Sequence, residues 1–323
     1  MAFTVFDPNS SSLTTLVQAL LAANSGISLI ASSISLRLSG AEAISLYDSA
    51  VGAPLGIAAG VLLTSGITPG LSNTSSWYGA DNSGTSGFNN GDADIDAVVN
   101  TVFQTQSYDA TTLSFDFTVS DPLATSISFD LVFGSDEYPE WVDAFVDCGV
   151  VIVDGVNYAL FNNDPLHPLS VISPNLAAGY FQDNGGNTIP IEYDGVSGRL
   201  RIVAPLKAGQ STHTIKIGIA DTGDHILDSG LFISGLSAGT DPGVAKQQSA
   251  ARREELKVVK NRAEKTLAEG VQRMENSGKI DPVLTSAVLS LASVWIDINQ
   301  PVKSVTLLEN PKIGLLKLVA DNH

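Results

Sequence analysis

Residues 129–150 have the sequence FDLVFGSDEYPEWVDAFVDCGV, in which a β-strand leads into an acidic turn. Apolar and polar side chains alternate from Ser126 to Gly134, and several of the apolar ones are β-branched or aromatic, which predicts a half-buried strand. The seven residues that follow, SDEYPEW, contain three carboxylates and two large aromatic rings, and Pro139 prevents a regular strand or helix there. This turn is therefore either a solvated cap on the strand or an oxygen-rich site for a cation.

Residues 217–233, with the sequence IGIADTGDHILDSGLFI, have the same arrangement. A strand predicted over 214–220 is followed by a loop with three aspartates and Gly223, and another strand is predicted over 230–236. Because two acidic loops leave two strands in the same way, we expect them to form one shared site. The metal-ligand candidates are Asp136, Glu137, Asp221, Asp224 and Asp228, and the additional candidates are Asp92, Asp94 and Glu140.

This group of carboxylates predicts calcium as a cofactor, because calcium prefers hard oxygen ligands such as carboxylates. Carboxylates that converge without a cation would also repel one another. An alternative is that Glu137 and Asp228 accept hydrogen bonds from the backbone of opposing loops and so fasten the sheet ends together. Arg199 or Arg201 would then be an ionic partner. For Asp92, which precedes a helical pattern of apolar residues, a place at the start of a helix is as well supported as a role as cation ligand.

Three segments resemble the bacterial choice-of-anchor L domain family: VFGSDEYPEWV, IADTGDHILDSGLFI and the upstream LGIAAGVLLTSG. The resemblance runs from Leu13 to Gly239. It implies an extracellular or cell-surface module of the kind found with varied C-terminal anchors, and it implies no particular activity. The chain departs from the family in having no recognisable anchor. Its first residues, MAFTVFDPNSSS, have neither the basic region nor the apolar core of a Sec-type signal peptide, which leaves the export route open.

The 323-residue chain has a formal charge of −17, and this charge is unevenly distributed. Residues 1–243 contain 5 Lys and Arg against 25 Asp and Glu, a charge of −20, whereas residues 244–323 contain 12 against 9, a charge of +3. This change predicts an acidic domain over 1–239, a linker over 240–246 and a second unit over 247–323. An acidic surface of this kind repels nucleic acid and anionic lipid, and no apolar run reaches the length of a membrane span.

Short strands separated by turn signals, with little helix between them, predict a mainly β fold. The expected architecture is an antiparallel two-sheet sandwich of the jelly-roll type with a small C-terminal α-helical unit. One short helix is predicted over 13–24. Segments 113–119 and 126–133 are predicted to pair as a hairpin, and Asp154-Gly155 and Asp194-Gly195 each predict a two-residue hairpin turn.

The C-terminal unit is predicted to contain two amphipathic helices and a tail. The first helix lies within 246–276 and the second follows Pro282, and each carries an apolar stripe. Because two helices cannot bury both stripes alone, we expect residues 247–300 to dock on the sandwich, on a tail strand predicted over 302–308, on a partner, or on a second copy of the chain in a homo-oligomer.

A surface partner, either protein or carbohydrate, is predicted from aromatic residues in polar loops. Residues 68–92 form a long tract of Ser, Asn and Gly, and loops of this length are often functional. The candidate ligand contacts are Trp77, Tyr78 and Phe88 in this tract, and Tyr138 and Trp141 in the acidic turn.

We therefore expect a non-catalytic extracellular or surface-associated module for adhesion or binding, stabilised by calcium. One alternative is a structural subunit of a self-assembling filament, sheath or coat. A second is a carbohydrate-active enzyme in which Glu137 and Glu140 act as an acid–base pair. The four histidines have no zinc-binding spacing, and the two glutamates lie in a turn rather than at alternating positions of a strand, so catalysis is not expected.

Overall fold

The structure, a computed structural model, describes residues 2–73, 90–242 and 244. The chain divides into two units, Met1–Asp241 and Pro242–His323, and nearly all of the described residues belong to the first. The predicted C-terminal helices and the candidate contacts Trp77, Tyr78 and Phe88 lie outside the described residues. In the part of the chain that is described, no helix has the length and apolarity needed to cross a membrane.

The described residues form thirteen strands and four short α-helices. In chain order the strands are β1 (Phe3–Val5), β2 (Ile27–Arg37), β3 (Ile44–Tyr47), β4 (Gly60–Thr64), β5 (Ser107–Val119), β6 (Ser126–Ser135), β7 (Cys148–Val153), β8 (Val156–Asn157), β9 (Phe181–Asp183), β10 (Gly195–Ser197), β11 (Leu200–Pro205), β12 (His213–Thr222) and β13 (Ser229–Gly239). The helices are α1 (Leu13–Leu20), α2 (Ser49–Gly52), α3 (Ala93–Val99) and α4 (Ser173–Ala177), and a 3₁₀ turn covers Phe161–Asn163.

The strands pair into two antiparallel sheets. In the first, the order is β1-β3-β4-β13-β6-β10-β9, and β11 also pairs with β6 to give eight strands among the described residues. In the second, the order is β2-β5-β12-β7-β8. The prediction of a mainly β fold with two antiparallel sheets is confirmed, whereas jelly-roll connectivity stays a prediction.

The main hydrophobic core lies between the two sheets. Alternate residues of a strand point to the same face, so Ile215, Ile217 and Ile219 of β12 are all buried in it. Phe129 and Phe133 of β6 join the same core from the other sheet. Burial of each such side chain contributes about 1.5–3 kcal/mol, so the pairing of the two sheets rests mainly on this layer.

Helix α1 packs one face on this core. The side-chain oxygen of Ser12 caps the helix by accepting a hydrogen bond of 3.3 Å from the backbone N–H of Thr14. Leu16 and Leu20, one turn apart, are fully buried. The predicted helix is confirmed, although it ends at Leu20 rather than at residue 24.

Two predicted hairpins are wrong. Strand β5 pairs with β2 and β12, whereas β6 pairs with β13, β10 and β11, so the connection between β5 and β6 crosses from one sheet to the other. Gly195 is not a turn residue but the first residue of β10, which pairs with β6 and β9, and residues 189–193 form no strand although they are described. Alternating patterns identify strands but do not identify their partners.

The hairpin predicted at Asp154-Gly155 is confirmed. Asp154 and Gly155 have φ angles of 49° and 87°, the positive values that a two-residue turn of this kind requires. The Asp154 carboxylate accepts backbone hydrogen bonds from Lys207 (3.0 Å) and Thr214 (3.1 Å), and its Oδ2 lies 2.7 Å from Nδ1 of the buried His213. Burial opposes ionisation of Asp154, but together these hydrogen bonds outweigh it and lower its pKa.

Asp154→Asn is expected to reduce the free energy of unfolding by about 1–3 kcal/mol near neutral pH, because asparagine tolerates the turn but loses the charged acceptor. A carboxyl with a lowered folded pKa stabilises the protein above its unfolded pKa of 3.8 and ceases to do so as the pH falls through its folded value. The difference from wild type should therefore shrink below about pH 4. Urea unfolding at pH 7 and pH 3 measures it, and Asp121→Asn, at an exposed turn, is the control. A difference that stays the same at both pH values would contradict this account.

Candidate functional site

Acidic residues from both sheets meet at one end of the sandwich. In the first sheet, Ser135 at the end of β6 is opposite both Ser229 and Gly195, so the residues next to these strand ends are neighbours. In the second sheet, Asp221 of β12 is opposite Tyr108 of β5. We call these carboxylates the acidic end: Asp109, Asp136, Glu137, Asp147, Asp194, Asp221, Asp224 and Asp228.

Asp147 joins the two sheets at the acidic end. It lies immediately before β7 and is fully buried. Its Oδ1 accepts a hydrogen bond from the backbone N–H of Thr222 (3.1 Å) in the second sheet, and its Oδ2 accepts one from the hydroxyl of Ser229 (2.7 Å) in the first. Burial raises the pKa of Asp147 well above its ordinary value, although these two hydrogen bonds oppose the effect.

Asp228 and Asp136 hold loops of the first sheet together. Asp228 Oδ2 accepts a hydrogen bond of 2.8 Å from the backbone N–H of Ile67, as expected of a residue that fastens opposing loops. A side chain at Gly66 would overlap the Asp228 carboxylate, so only glycine allows this contact. Asp136 Oδ1 accepts a hydrogen bond of 2.8 Å from the backbone N–H of Asp194.

The predicted arginine partners are wrong. Arg199 and Arg201 lie 3.0 and 3.3 Å from the Asp130 carboxylate and pair with it, outside the acidic end. None of the salt bridges among the described residues involves Glu137. Its charge is therefore not compensated by a basic side chain in this part of the molecule.

Glu137 is the most unusual member of the acidic end. Its side chain is fully buried, and neither carboxylate oxygen has a hydrogen-bond partner among the described residues. Burial raises its pKa to about 10, and the nearby carboxylates of Asp147 and Asp224 contribute. A buried acceptor without a partner costs about 1–3 kcal/mol or more, so this carboxyl needs either a proton or a cation.

Asp136 and Asp221 share this environment. Burial raises the pKa of Asp136 to about 9 against the opposing hydrogen bond from Asp194, and its Oδ2 lacks a hydrogen-bond partner within the described ranges. Burial also raises the pKa of Asp221 well above its ordinary value, with charges on Asp147 and Asp228 adding to the effect. In 2–73 and 90–242, no three His, Cys, Asp or Glu side chains are already arranged to hold a metal ion.

The additional ligand candidates lie in other environments. Asp92 caps α3 by accepting hydrogen bonds from the backbone N–H groups of Asp94 and Ile95, which confirms the prediction that it starts a helix. The ammonium of Lys216 lies 2.7 Å from Asp92 and 2.6 Å from Asp94, so a lysine already provides positive charge there. Glu140 is exposed.

The two described aromatic candidates differ in exposure. Tyr138 is half-buried and stacks on Phe181, with ring centroids 6.0 Å apart. Trp141 is exposed and contacts the edge of Phe145. Only Trp141 of this pair presents much of its ring at the surface.

Residues 235–239 have the sequence GLSAG, which has the G-x-S-x-G form of a hydrolase nucleophile motif. Ser237, however, lies within strand β13 opposite Ser128 of β6, with their hydroxyl oxygens 3.5 Å apart. A nucleophile of this kind needs a sharp turn between a strand and a helix. The motif therefore has no catalytic geometry.

Comparison with protein families identifies the chain. The family model of the Choice-of-anchor L domain matches residues 4–239. The chain belongs to this family. Choice-of-anchor domains are typically extracellular surface modules. The match covers both sheets and the whole acidic end of this choice-of-anchor L domain, and no curated protein matches the chain.

Solved structures give only distant likenesses to the choice-of-anchor L domain. A family 35 carbohydrate binding module from an environmental isolate is 15% identical over 41% of this chain and 73% of its own, with a TM-score of 0.21. A β-glucosidase from Kluyveromyces marxianus in complex with glucose is 12% identical over 50% of this chain and 13% of its own, with a TM-score of 0.19. The CBM51-2 and INT domains of Clostridium perfringens ZmpB are 12% identical over 85% of this chain and 57% of their own, with a TM-score of 0.17. TM-scores this low carry no argument about fold or ligand.

Three members of the acidic end were not predicted as site residues from the sequence: Asp109, Asp147 and Asp194, the last of which was expected only in a hairpin turn. Asp147 stands directly before the apolar strand β7, as Asp228 stands directly before β13, and this shared position is the signal that could have found it. Asp109 lies inside β5 with a positive φ of 46° and is fully buried, and its Oδ2 lies 3.3 Å from Nδ1 of His225. An aspartate in a strand that also contains several Ser and Thr residues and a second aspartate gives only a weak signal.

Proposed function

We propose that this choice-of-anchor L domain is a non-catalytic binding module of an extracellular surface, and that calcium binds and stabilises its acidic end. The observation that carries the calcium proposal is the buried carboxylate of Glu137, whose oxygens lack hydrogen-bond partners in the described chain. The extracellular, surface-binding part of the proposal is supported by family membership over residues 4–239.

The side chains of the acidic end have the chemistry that calcium needs. Glu137 and the Oδ2 atom of Asp136 would bind the cation, and Asp221, Asp224 and Asp228 would contribute further oxygens. These groups would have to move together around the ion, because no ready-made ligand set exists among the described residues. Bound calcium would supply the positive charge that allows several buried carboxylates to ionise at neutral pH.

A non-catalytic role is supported by the positions of the two candidate catalytic glutamates. A glycosidase places two carboxyl groups on either side of one glycosidic bond. Glu137 is fully buried beneath the turn, whereas Glu140 lies exposed on its outer side. A single substrate would not reach both carboxyl groups without rearrangement of the turn.

Calcium is expected to raise the thermal unfolding midpoint of the full-length protein by about 5–10 °C at a hundredfold excess over its Kd. Glu137→Gln should abolish most of this rise, because it removes a charged ligand while preserving the shape of the side chain. Differential scanning calorimetry in calcium or EDTA measures both effects.

The matched control is Glu42→Gln, which makes the same chemical change at an exposed position outside the acidic end. This variant should keep the full calcium response. If calcium leaves the wild-type midpoint unchanged, the acidic end is not a calcium site and its carboxylates must be read as protonated loop fasteners. An equal response in Glu137→Gln and wild type would place the ion elsewhere.

The binding role is tested by co-sedimentation of the full-length protein with intact bacterial cells and with insoluble polysaccharide particles. Retention above that of serum albumin on at least one surface supports it, and retention no greater than albumin on all of them contradicts it. The same supernatants should contain no more reducing sugar than controls without protein. Release of sugar that Glu137→Gln abolishes would instead support the enzymatic alternative.

A further inference from the structure

An open pocket of 310 Å³ lies along the edge of the first sheet, where β9 forms the last strand. It is lined by two glycines and by Phe161, Tyr180, Phe181, Gln182, Arg199 and Leu200. Its volume is at the lower end of the range of about 300–1,000 Å³ that small-molecule sites occupy. None of these lining residues was identified as a ligand contact from the sequence.

Tyr180 forms a fixed aromatic platform in the pocket. One face of its ring stacks on the buried Phe161, with ring centroids 4.5 Å apart and planes inclined by 9°. Its hydroxyl lies 2.5 Å from the amide nitrogen of Asn162, and the ring of His167 packs edge-on against it. Three contacts therefore hold a half-exposed ring in one orientation, which lowers the entropy cost of stacking a ligand on it.

Phe181 extends this platform toward the acidic turn. Its ring contacts Phe133 and Phe161 edge-on at 6.0 and 5.7 Å, and it stacks on Tyr138. Neighbouring positions 180 and 181 of the chain thus both place rings in the pocket, held from behind by the core. The pocket is therefore largely preformed.

Polar groups flank the aromatic rings. Arg199 is directed by Asp130, which accepts hydrogen bonds from its Nε (3.1 Å) and Nη2 (3.0 Å). Its Nη1 has no partner among the residues described and can donate to a ligand. The side chain of Gln182 is exposed beside it.

We propose that this pocket binds a neutral pyranose ring of a polysaccharide. The faces of such a ring carry C–H groups that pack on aromatic rings, and its hydroxyls take hydrogen bonds from side chains such as Arg199 and Gln182. An anionic ligand is disfavoured, because the Arg199 charge is already shared with Asp130 and residues 1–243 carry −20 overall. The inference rests on the proposed binding function and names its ligand class and site.

Affinity electrophoresis of the full-length protein in gels containing galactomannan, xyloglucan, mixed-linkage β-glucan or polygalacturonate tests the inference. At least one neutral polysaccharide should retard wild type. Tyr180→Ala should weaken that affinity roughly tenfold or more, since a central aromatic contact carries much of the binding energy. Arg199→Ala and Gln182→Ala should each weaken it by a smaller factor. Leu123→Ala, which shortens an exposed apolar side chain outside the pocket, should leave it unchanged.

The outcomes separate failure of this inference from failure of the proposed function. Equal retardation of wild type and Tyr180→Ala overturns the site while the binding function stands. If Tyr180→Ala lacks a cooperative unfolding transition, the test of the site passes to Arg199→Ala and Gln182→Ala. Unchanged polysaccharide affinity in both of these variants would overturn the site. If wild type is retarded by no neutral polysaccharide, or only by polygalacturonate, the ligand class is wrong even where the protein still co-sediments with cells.

Discussion

Gly134→Ala is expected to reduce the free energy of unfolding by about 3 kcal/mol, the upper end of typical overpacking costs. Gly134 of β6 and Gly230 of β13 lie directly opposite each other, and the buried ring of Tyr193 packs across both. A Cβ atom at Gly134 would lie 2.5 Å from Cδ2 and 2.8 Å from Cγ of that ring. Because Cγ is near the root of the side chain, the clash cannot be relieved by rotating the ring tip.

The same substitution should also weaken the calcium response. Tyr193 immediately precedes Asp194, whose backbone N–H donates to Asp136 in the acidic end. Asn184 holds the same segment by donating to the backbone oxygens of Ile191 and Tyr193, so a displaced ring would strain these contacts. Loss of the calcium-induced rise in Gly134→Ala, measured by calorimetry, would link the glycine pair to the site.

Gly239→Ala is the control for backbone effects, since Gly239 lies in β13 and no described atom falls within 4 Å of a Cβ built there. This variant should be neutral or more stable by up to about 1 kcal/mol, because alanine restricts the unfolded chain. Urea unfolding of both variants gives the comparison. Equal stabilities for the two would mean that the Tyr193 ring moves aside without cost.

The sequence predicted the strands of this fold better than their pairing. Alternation found β5 and β6 because buried residues recur at every second position over 113–117 and 127–131, which is a local property. The partner of a strand depends on contacts far along the chain, so the connection from β5 to β6 was mistaken for a hairpin although it crosses between sheets. Asp154-Gly155 succeeded as a turn because its positive φ angles are set locally.

The candidate site was predicted in outline from two acidic loops. Asp136, Glu137, Asp221 and Asp228 all lie buried at the acidic end, as the expectation of one shared site requires. What the sequence could not provide was the burial itself, which turns surface-type carboxylates into groups with raised pKa values. The pocket at Tyr180 could not be predicted from the sequence, because it depends on stacking between Phe161 and Tyr180, which are 19 positions apart.

In calcium-free buffer, stability is expected to fall as the pH rises from about 5 to about 9. The pKa of Asp136 rises from 3.8 to about 9 on folding, and that of Glu137 from 4.5 to about 10, mainly through burial. A carboxyl group whose pKa is higher in the folded state makes its full contribution to stability at pH values below its unfolded-state pKa. That contribution is lost as the pH rises from the unfolded-state pKa through the folded-state pKa. For each proton that is bound in the folded state but not in the unfolded state, the free energy of unfolding falls by about 1.4 kcal/mol for every unit by which the pH rises.

Calcium should remove most of this dependence on pH, because a cation bound to the ionised carboxylates replaces the protons. Urea unfolding at pH 5, 6, 7 and 8, in EDTA and in calcium, measures the two slopes. A glutamine at position 137 does not titrate, so the unfolding free energy of Glu137→Gln in EDTA should fall less steeply with rising pH than that of wild type. Stability that increases from pH 5 to pH 8 in EDTA would mean that the acidic end is ionised without a cation. The calcium proposal would then lose its physical basis, since the carboxylates would already be stable as neighbours.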